Sequence, residues 1–424
     1  MKVAVVGLGH IGLPLAVQYA SRGHQVTGCD TDRALVAALN AGRSPHDDEP
    51  AVTELVPELV ASGRLRATTD DAKGVRGAEV VVIIVPVVVD ERRQVDFSPI
   101  DTATREVARG IGPGTLVLYE TTLPVGATRD RLAPMLAAGS GLTLERDLFV
   151  AFSPERVLVG RVLLDLRRYP KVVGGVGPAS TDRARQFYEG ALDEGTEMLT
   201  LSSAEAAEMT KLAETTYRDV NIALANEYAR YAMGRGIDVT EVIAAANSQP
   251  YSHVHQPGVG VGGHCIPVYP HFLFNGAPEL QLPPLARRVN DGMAAWAVSL
   301  AADSLGSLQD VTVLVLGIAY RGDVREDAFS SAFGLRDALT AAGARVLGHD
   351  PYFDARHLRE RGFEAWDAAS PSPVRVAILQ AAHAAYRDLD LARIPGLELL
   401  VDGRNALDPA SVQAAGVTYL GIGR

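Results

Sequence analysis

Short apolar runs recur along the chain, each followed by a stretch whose apolar residues keep helical spacing. Val3 to Val6, Gln25 to Cys29, Glu79 to Val85, Gly114 to Tyr119 and Leu148 to Ala151 are such runs. Their length and near-continuous apolarity predict buried strands of a sheet covered by helices on both faces. The pattern changes from Ser203 to Gly234, where Ala206, Met209, Leu212, Ala213, Tyr217, Val220, Ala223 and Tyr228 hold helical spacing without a proline. One long helix is predicted there, a spine between domains or a dimer surface. After Pro283-Pro284 and a further helix, Val311 to Gly317 repeats the strand-to-glycine entry of the N-terminus, and Arg345 to Asp350 repeats a strand ending in an acid.

The first strand runs into Gly7-Leu-Gly9-His10-Ile11-Gly12 and a helix from Leu13 to Ala20, and the second strand ends at Asp30. A glycine triplet between a strand and a helix, with an acid closing the next strand, is the dinucleotide-binding arrangement. Gly7 makes the tight turn, Gly9 lets a pyrophosphate approach the backbone, and Gly12 lets the helix pack on the strand. Asp30 would accept from the ribose hydroxyls and repel a 2′-phosphate, favouring NAD over NADP, although Arg33 nearby works against that preference. The alternative is a plain βαβ turn without cofactor. The expected architecture is α/β, two Rossmann-like doubly wound parallel-sheet domains joined by a long central helix: residues 1–200 for NAD, 201–304 helical and dimerising, 305–424 Rossmann-like. The last has no full glycine triplet, so it should bind something other than a dinucleotide, or bind it differently.

At 424 residues with 47% hydrophobic and 21% charged residues, the chain reads as a soluble globular protein of two or three domains. A net charge of −11 argues against a general nucleic-acid binder, while leaving room for a local phosphate pocket. The longest apolar run, Val80 to Val89, is about half a membrane span. Only two cysteines, and a strand directly after Met1-Lys2, lead to the expectation of a reducing, cytoplasmic location with no membrane partner. No metal site is expected.

One of those cysteines lies in Pro257-Gly-Val-Gly-Val-Gly-Gly-His-Cys-Ile-Pro267, too glycine-rich for a helix or a strand. A reactive thiolate needs partial exposure and nearby donors, whereas a structural cysteine is buried and inert; the segment alone leaves both open for Cys265. Other polar groups stand at strand ends, in Tyr119-Glu-Thr-Thr-Leu-Pro-Val-Gly126 and Phe152-Ser-Pro-Glu155-Arg156, or on the long helix, where Lys211 is followed by Arg218, Asp219, Asn221, Asn226 and Glu227. Each alone reads more readily as a solvated surface residue or a helix cap. Together with Cys265 they supply a thiol, a base and donors for a developing oxyanion.

With these segments in hand the whole chain resembles the UDP-glucose/GDP-mannose dehydrogenase family, whose members oxidise carbon 6 of a nucleotide sugar to a carboxylate using two NAD. The marks are GLGHIGLPLA at the start, ETTLPVG at 120–126, SPERVL at 153–158, KLAETTYRDVNIALANE at 211–227, QPGVGVGGHCIP at 256–267, GIAYRGD at 317–323 and DGRN at 402–405. The SPERVL, RDVNIALANE and GGHCIP forms look like the branch acting on UDP-N-acetylhexosamines, especially UDP-N-acetylmannosamine. The resemblance implies that Cys265 is the nucleophile, Glu155 organises or activates a water, Thr122 helps hold it, and Lys211 stabilises the oxyanion. It implies cofactor contacts from Gly7, Gly9, His10, Ile11, Gly12, Asp30, Arg33, Pro86 and Thr122. Contacts to a UDP-linked sugar are implied for Glu155, Arg156, Lys211, Thr215, Tyr251, Gly262, Arg321 and Arg404, and a homodimer is expected.

Departures from the family pattern gather around the sugar. The usual Asn four residues after the lysine is Thr215, and the usual Asp four residues after the cysteine is Tyr269. An arginine usually reaching in from a neighbouring subunit is replaced by Tyr251, another is lost at Ala328, and the usual Pro-Thr-Pro reads Pro86-Val-Val88. A phenol with a pKa near 10 is a poor base at neutral pH compared with a carboxylate. Unchanged activity, an altered or incompletely oxidised sugar, and a non-catalytic nucleotide-sugar sensor remain the three expectations.

Overall fold

The computed structural model describes residues 1–46, 49–90, 92–158, 160–387 and 389–424. It forms two compact units, Met1–Glu214 and Thr215–Arg424. The first is built on β1 (Lys2–Val6), β2 (Gln25–Cys29), β3 (Leu65–Thr68), β4 (Val80–Ile83), a small antiparallel hairpin of β5 (Val88–Val89) and β6 (Val95–Asp96), then β7 (Thr115–Tyr119), β8 (Leu148–Phe152), β9 (Lys171–Gly175) and β10 (Met198–Thr200). Its large sheet has the order β10-β9-β8-β7-β4-β1-β2-β3. Every residue of β4, β7 and β8 is buried, as expected for strands covered on both faces. Their partners include Leu13, Val17 and Tyr19 of the helix Gly12–Ser21 and Phe187 of the helix Pro178–Ala191.

The chain leaves β1 towards β2 on one side and returns to β4 on the other, so the strand order reverses between β1 and β4. A crevice at the carboxyl ends of such strands is where open α/β sheets take ligands. One departure from an all-parallel sheet matters for the site. β9 pairs with β8 antiparallel, Phe152 opposite Gly174, and β10 follows β9 in parallel. The first residue of β9, Lys171, therefore lies at the edge where β7 and β8 end.

The second unit carries β11 (Thr312–Leu316), β12 (Arg345–His349), β13 (Glu364–Ala365), β14 (Val376–Leu379), β15 (Leu399–Asp402) and β16 (Thr418–Gly421). These form an entirely parallel sheet of order β13-β12-β11-β14-β15-β16. Val313 and Val315 pack with Met293, Ala297 and Ala301 of the helix Met293–Leu305 and with Leu335 and Leu339 of Ser331–Ala341. The long helix expected from 203 to 234 spans Ala204–Met233. Its residues up to Glu214 belong to the first unit and the remainder to the second. Small residues Ala225, Ala229 and Ala232 face the second core, while Tyr217, Leu224, Tyr228 and Tyr231 stay exposed along one stripe. Among the described residues, no helix is long and apolar enough to cross a membrane.

Candidate active site

The glycine triplet behaves as its spacing predicts, but its three members differ in cause. Gly7 has φ +94°, and a Cβ there would come within 3.1 Å of the Ile84 carbonyl oxygen; a Cβ on Gly12 would lie 1.9 Å from the Gly7 carbonyl oxygen. Both are demanded by the protein's own packing. A Cβ on Gly9 would meet no atom within 4 Å, so packing does not account for it and the room is left on the ligand side. Asp30 accepts from the Leu8 amide at 2.7 Å and the Asp32 amide at 2.9 Å, which aims its carboxylate while leaving lone pairs for sugar hydroxyls. Burial, reinforced by Glu106, Asp30 and Asp70, pushes Asp71 up to about 6. His10 packs on His46 at 4.3 Å between ring centres, Ile11 packs on the core, and Arg33 and Pro86 are exposed.

A buried polar group lies where β7, β8 and β9 meet. Lys171 Nζ donates to Glu120 at 2.8 Å and to Glu155 at 3.0 Å, and Glu120 also accepts from the hydroxyls of Tyr19 at 2.9 Å and Tyr188 at 2.7 Å. The Arg156 amide donates to Glu155 at 2.8 Å, and Lys211 Nζ donates to the Glu155 carbonyl oxygen. Burial would raise the Glu155 carboxyl, but the Lys171 charge and the hydrogen bonds from Lys171 and the Arg156 amide outweigh it and hold it below the usual carboxylate range. For Glu120 burial prevails over Lys171 and raises its carboxyl. Arg156 is engaged with Glu214 at 2.6 Å and with the Pro170 carbonyl oxygen at 3.2 Å, so it braces the loop around Glu155. Thr122 is buried just past β7, in a turn held by Glu208, which accepts from the Gly126 amide at 2.6 Å and from the Thr128 amide and hydroxyl at 2.8 and 2.6 Å. Burial, partly offset by those donors, lifts Glu208 to about 7.

The second unit holds the thiol. Cys29 is buried, and burial together with nearby aspartates pushes its thiol far up, whereas Cys265 is half-buried. Of the two open expectations for Cys265, the inert core cysteine is thereby disfavoured. The loop carrying it is stapled along its length: the Gly258 amide to Asn226 at 2.9 Å, the Val259 amide to the Gly403 carbonyl oxygen at 3.0 Å, and the Gly263 amide to the Ala328 carbonyl oxygen at 2.9 Å. Asn226 is tied through Asn290 to Asp219, which pairs with buried Arg287 at 2.7 Å. Several of the loop's glycines have a reason other than ligand approach. A Cβ on Gly260 would lie 2.7 Å from Ser331, on Gly262 2.8 Å from Tyr320, and on Gly263 2.9 Å from the Tyr320 ring. The Tyr269 amide donates to the Cys265 carbonyl oxygen at 2.9 Å, which sets the phenol-bearing residue one helical turn after the thiol. Thr215 is fully buried and Tyr251 is 92% exposed.

Of the two arginines expected at the nucleotide sugar, Arg321 is exposed over Tyr320 and donates to its hydroxyl at 3.1 Å. Arg404 is instead a clamp, donating to the carbonyl oxygens of Gln380 at 2.5 Å and Gly260 at 3.0 Å and to the Ser331 hydroxyl at 3.2 Å; burial lowers it to about 10. Its two remaining N–H groups are what it has left for an anion. Sequence reasoning missed Lys171, Arg287 and Asn290 altogether. It met Glu120 only as the carboxylate of a motif, where its position at a strand end was the available signal.

Three family models match in order: the UDP-glucose/GDP-mannose dehydrogenase family NAD binding domain over residues 1–192, its central domain over 205–291 and its UDP binding domain over 314–409. The chain is 34% identical to the UDP-N-acetyl-D-mannosamine dehydrogenase of Pyrococcus horikoshii, covering 100% of this chain and 99% of that one. The solved structure of that enzyme superposes with a TM-score of 0.90 over the same 100% and 99%, at 32% identity. An NDP-N-acetyl-D-galactosaminuronic acid dehydrogenase of Ralstonia nicotianae is also 34% identical, over 95% of each chain.

Proposed function

The chain belongs to the UDP-glucose/GDP-mannose dehydrogenase family, NAD-dependent oxidoreductases of nucleotide sugars, and on that premise we propose that it oxidises carbon 6 of a UDP-N-acetylhexosamine to the uronate through Cys265. The observation that carries the proposal is the half-buried thiol of Cys265 on a loop braced by hydrogen bonds, in contrast to Cys29, which is sealed in the core of the first unit. When bound at Gly7 to Gly12 and Asp30, NAD supplies the hydride acceptor for each of two oxidations. The first converts the carbon 6 alcohol to an aldehyde. A hydride does not leave a bare aldehyde, so the Cys265 sulfur adds to its carbon and gives the tetrahedral alkoxide from which the second hydride departs, leaving a thioester. Water adds to the thioester carbon as Glu155 takes its proton, the carbon–sulfur bond breaks, and the acid is released with the thiolate restored. Lys211 is the donor for the oxyanion and Thr122 holds the water.

The acetamido sugar is favoured because full-length relatives of two organisms are named for N-acetylated hexose derivatives. The homodimer is supported by the stripe of Tyr217, Leu224, Tyr228 and Tyr231, large side chains left exposed along one face of the long helix. NADH formed per sugar consumed, across UDP-glucose and UDP-N-acetylhexosamines, tests the reading: two per turnover with an acetamido sugar is expected. Cys265→Ser is expected to abolish acid formation, and undiminished acid would rule out the thioester route. Tyr269 favours a second reading, oxidation that stops early, because a phenol follows the thiol by one turn. One NADH per sugar would establish it.

A further inference from the structure

We infer that Lys171 is a positioning residue for the Glu155 carboxylate, a bridge from deeply buried Glu120 that keeps Glu155 charged and pointed for its work on water. The inference rests on the proposed role of Glu155. Antiparallel pairing of β8 and β9 sets Phe152 opposite Gly174, and the same register carried three residues on sets Glu155 opposite Lys171. Lys171 is 5% exposed, and its ammonium lies 2.8 Å from Glu120 and 3.0 Å from Glu155. An ammonium so far from water persists only if its charge is matched, and here two carboxylates share it.

The surrounding elements determine which carboxylate carries the remaining charge. Tyr19 from the helix Gly12–Ser21 and Tyr188 from the helix Pro178–Ala191 donate to Glu120, and the Tyr188 ring lies 4.8 Å from the ammonium. No second cation reaches Glu120 among the described residues; Lys211 on the long helix is bonded to the Glu155 carbonyl, and Arg156 is engaged with Glu214. Glu155 adds the Arg156 amide to its hold on Lys171. Two acids and one ammonium accommodate one proton most readily on the deeper acid, so Glu120 is the member that takes it and Glu155 the one that stays ionised. The carboxyl directions agree, upward for Glu120 and downward for Glu155.

The test uses the full-length enzyme supplied with the aldehyde sugar and NAD, with thioester hydrolysis followed in single turnovers from pH 5 to 9. Glu155→Gln comes first and is expected to slow acid release by about 100-fold or more, the range of a lost general base. Acid release at the wild-type rate would remove the role of Glu155 and leave Lys171 nothing to position. With that role secured, Lys171→Met is expected to move the acid limb of the profile up by at least about one pH unit, and Lys171→Arg to bring it back, because the neighbouring cation lowers the carboxyl. Glu120→Gln puts a neutral amide in place of a neutral acid and is expected to leave the limb where it is; a limb moved down would show Glu120 ionised and overturn the charge assignment. Lys171→Gln, which keeps a donor without the charge, serves as the decisive variant if Lys171→Met lacks a cooperative melt, with the same upward movement expected. A uniform loss of rate with the acid limb unmoved in a folded Lys171→Met or Lys171→Gln would reduce Lys171 to a packing residue and overturn the inference.

Discussion

The two halves of the chain use the same opening device to opposite ends. In each, a strand runs into a glycine at positive φ, Gly7 at +94° and Gly317 at +88°, and the neighbouring strand leads to an acid that caps the backbone amides beyond the glycine. Asp30 caps Leu8 and remains half-buried. Asp350 caps Ile318 at 2.7 Å and Ala319 at 2.9 Å, is itself buried, and is closed over by fully buried His383 at 3.1 Å. An acid whose lone pairs are spent inside the protein has nothing to offer a ribose. The repeat therefore conserves a way of joining strand to helix, and ligand recognition depends on whether the acid is left open.

The strongest way to break this comparison is at the glycines. Gly12→Val would force a side chain against the Gly7 carbonyl, and NAD affinity measured by calorimetry is expected to fall by about 100-fold or more, roughly 2.7 kcal/mol. Gly317→Val meets Ala381, with a Cβ 2.6 Å from the Ala381 Cβ, and is expected to lower the melting temperature while the NAD Kd of the folded protein stays within about twofold. Next in size, His383→Leu removes the imidazole from a buried carboxylate and is expected to cost about 2 kcal/mol in denaturant unfolding without creating a second NAD site. Asp30→Ala is expected to weaken NAD about tenfold, as loss of hydrogen bonds from a charged acceptor does, with Asp350→Ala leaving NAD affinity unchanged.

The smallest expected effect concerns pH. Burial lifts Glu208 in the first unit to about 7, whereas hydrogen bonds from His383 and the amides hold Asp350 in the second below its usual value despite burial. A raised acid binds protons in the folded state before the unfolded chain does, so its contribution falls as pH rises from the unfolded value towards about 7. Asp350 contributes stability above its unfolded value that is lost only as pH falls through its lowered one. Melting temperatures from pH 5 to 8 should therefore decline, in part through Glu208 and in part through Asp219 of the second unit, which burial lifts to about 6, and Glu208→Gln should flatten that decline. An unchanged slope would assign it elsewhere.

Much of this was legible before any coordinates. Strand after strand was found within a few residues of its expected span, and the helix expected from 203 to 234 spans Ala204–Met233. The site was less legible. Arg156 and Arg404, expected at the substrate, spend donors on the protein, and the glycines of the thiol loop serve Tyr320 and Ser331. A motif identifies a residue but not which neighbours use up its hydrogen bonds.

By itself the sequence determined the βαβ entry with its glycine triplet, the long helix, the cofactor class, the family and Cys265 as the thiol to watch. All of these are written in local spacing and in residue types whose physics acts over a few positions. Only the tertiary structure decided that β9 runs against β8, because an apolar run such as Val172-Val173-Gly174-Gly175 fits a strand of either direction. Had β9 run parallel, Lys171 would start at the opposite edge of the sheet, about 13 Å away, the four residue rises of a five-residue strand. The reversal carries a buried ammonium to Glu120 and Glu155, and the placement of His383 seals Asp350. Both depend on contacts between residues far apart in the chain, which no window of sequence contains.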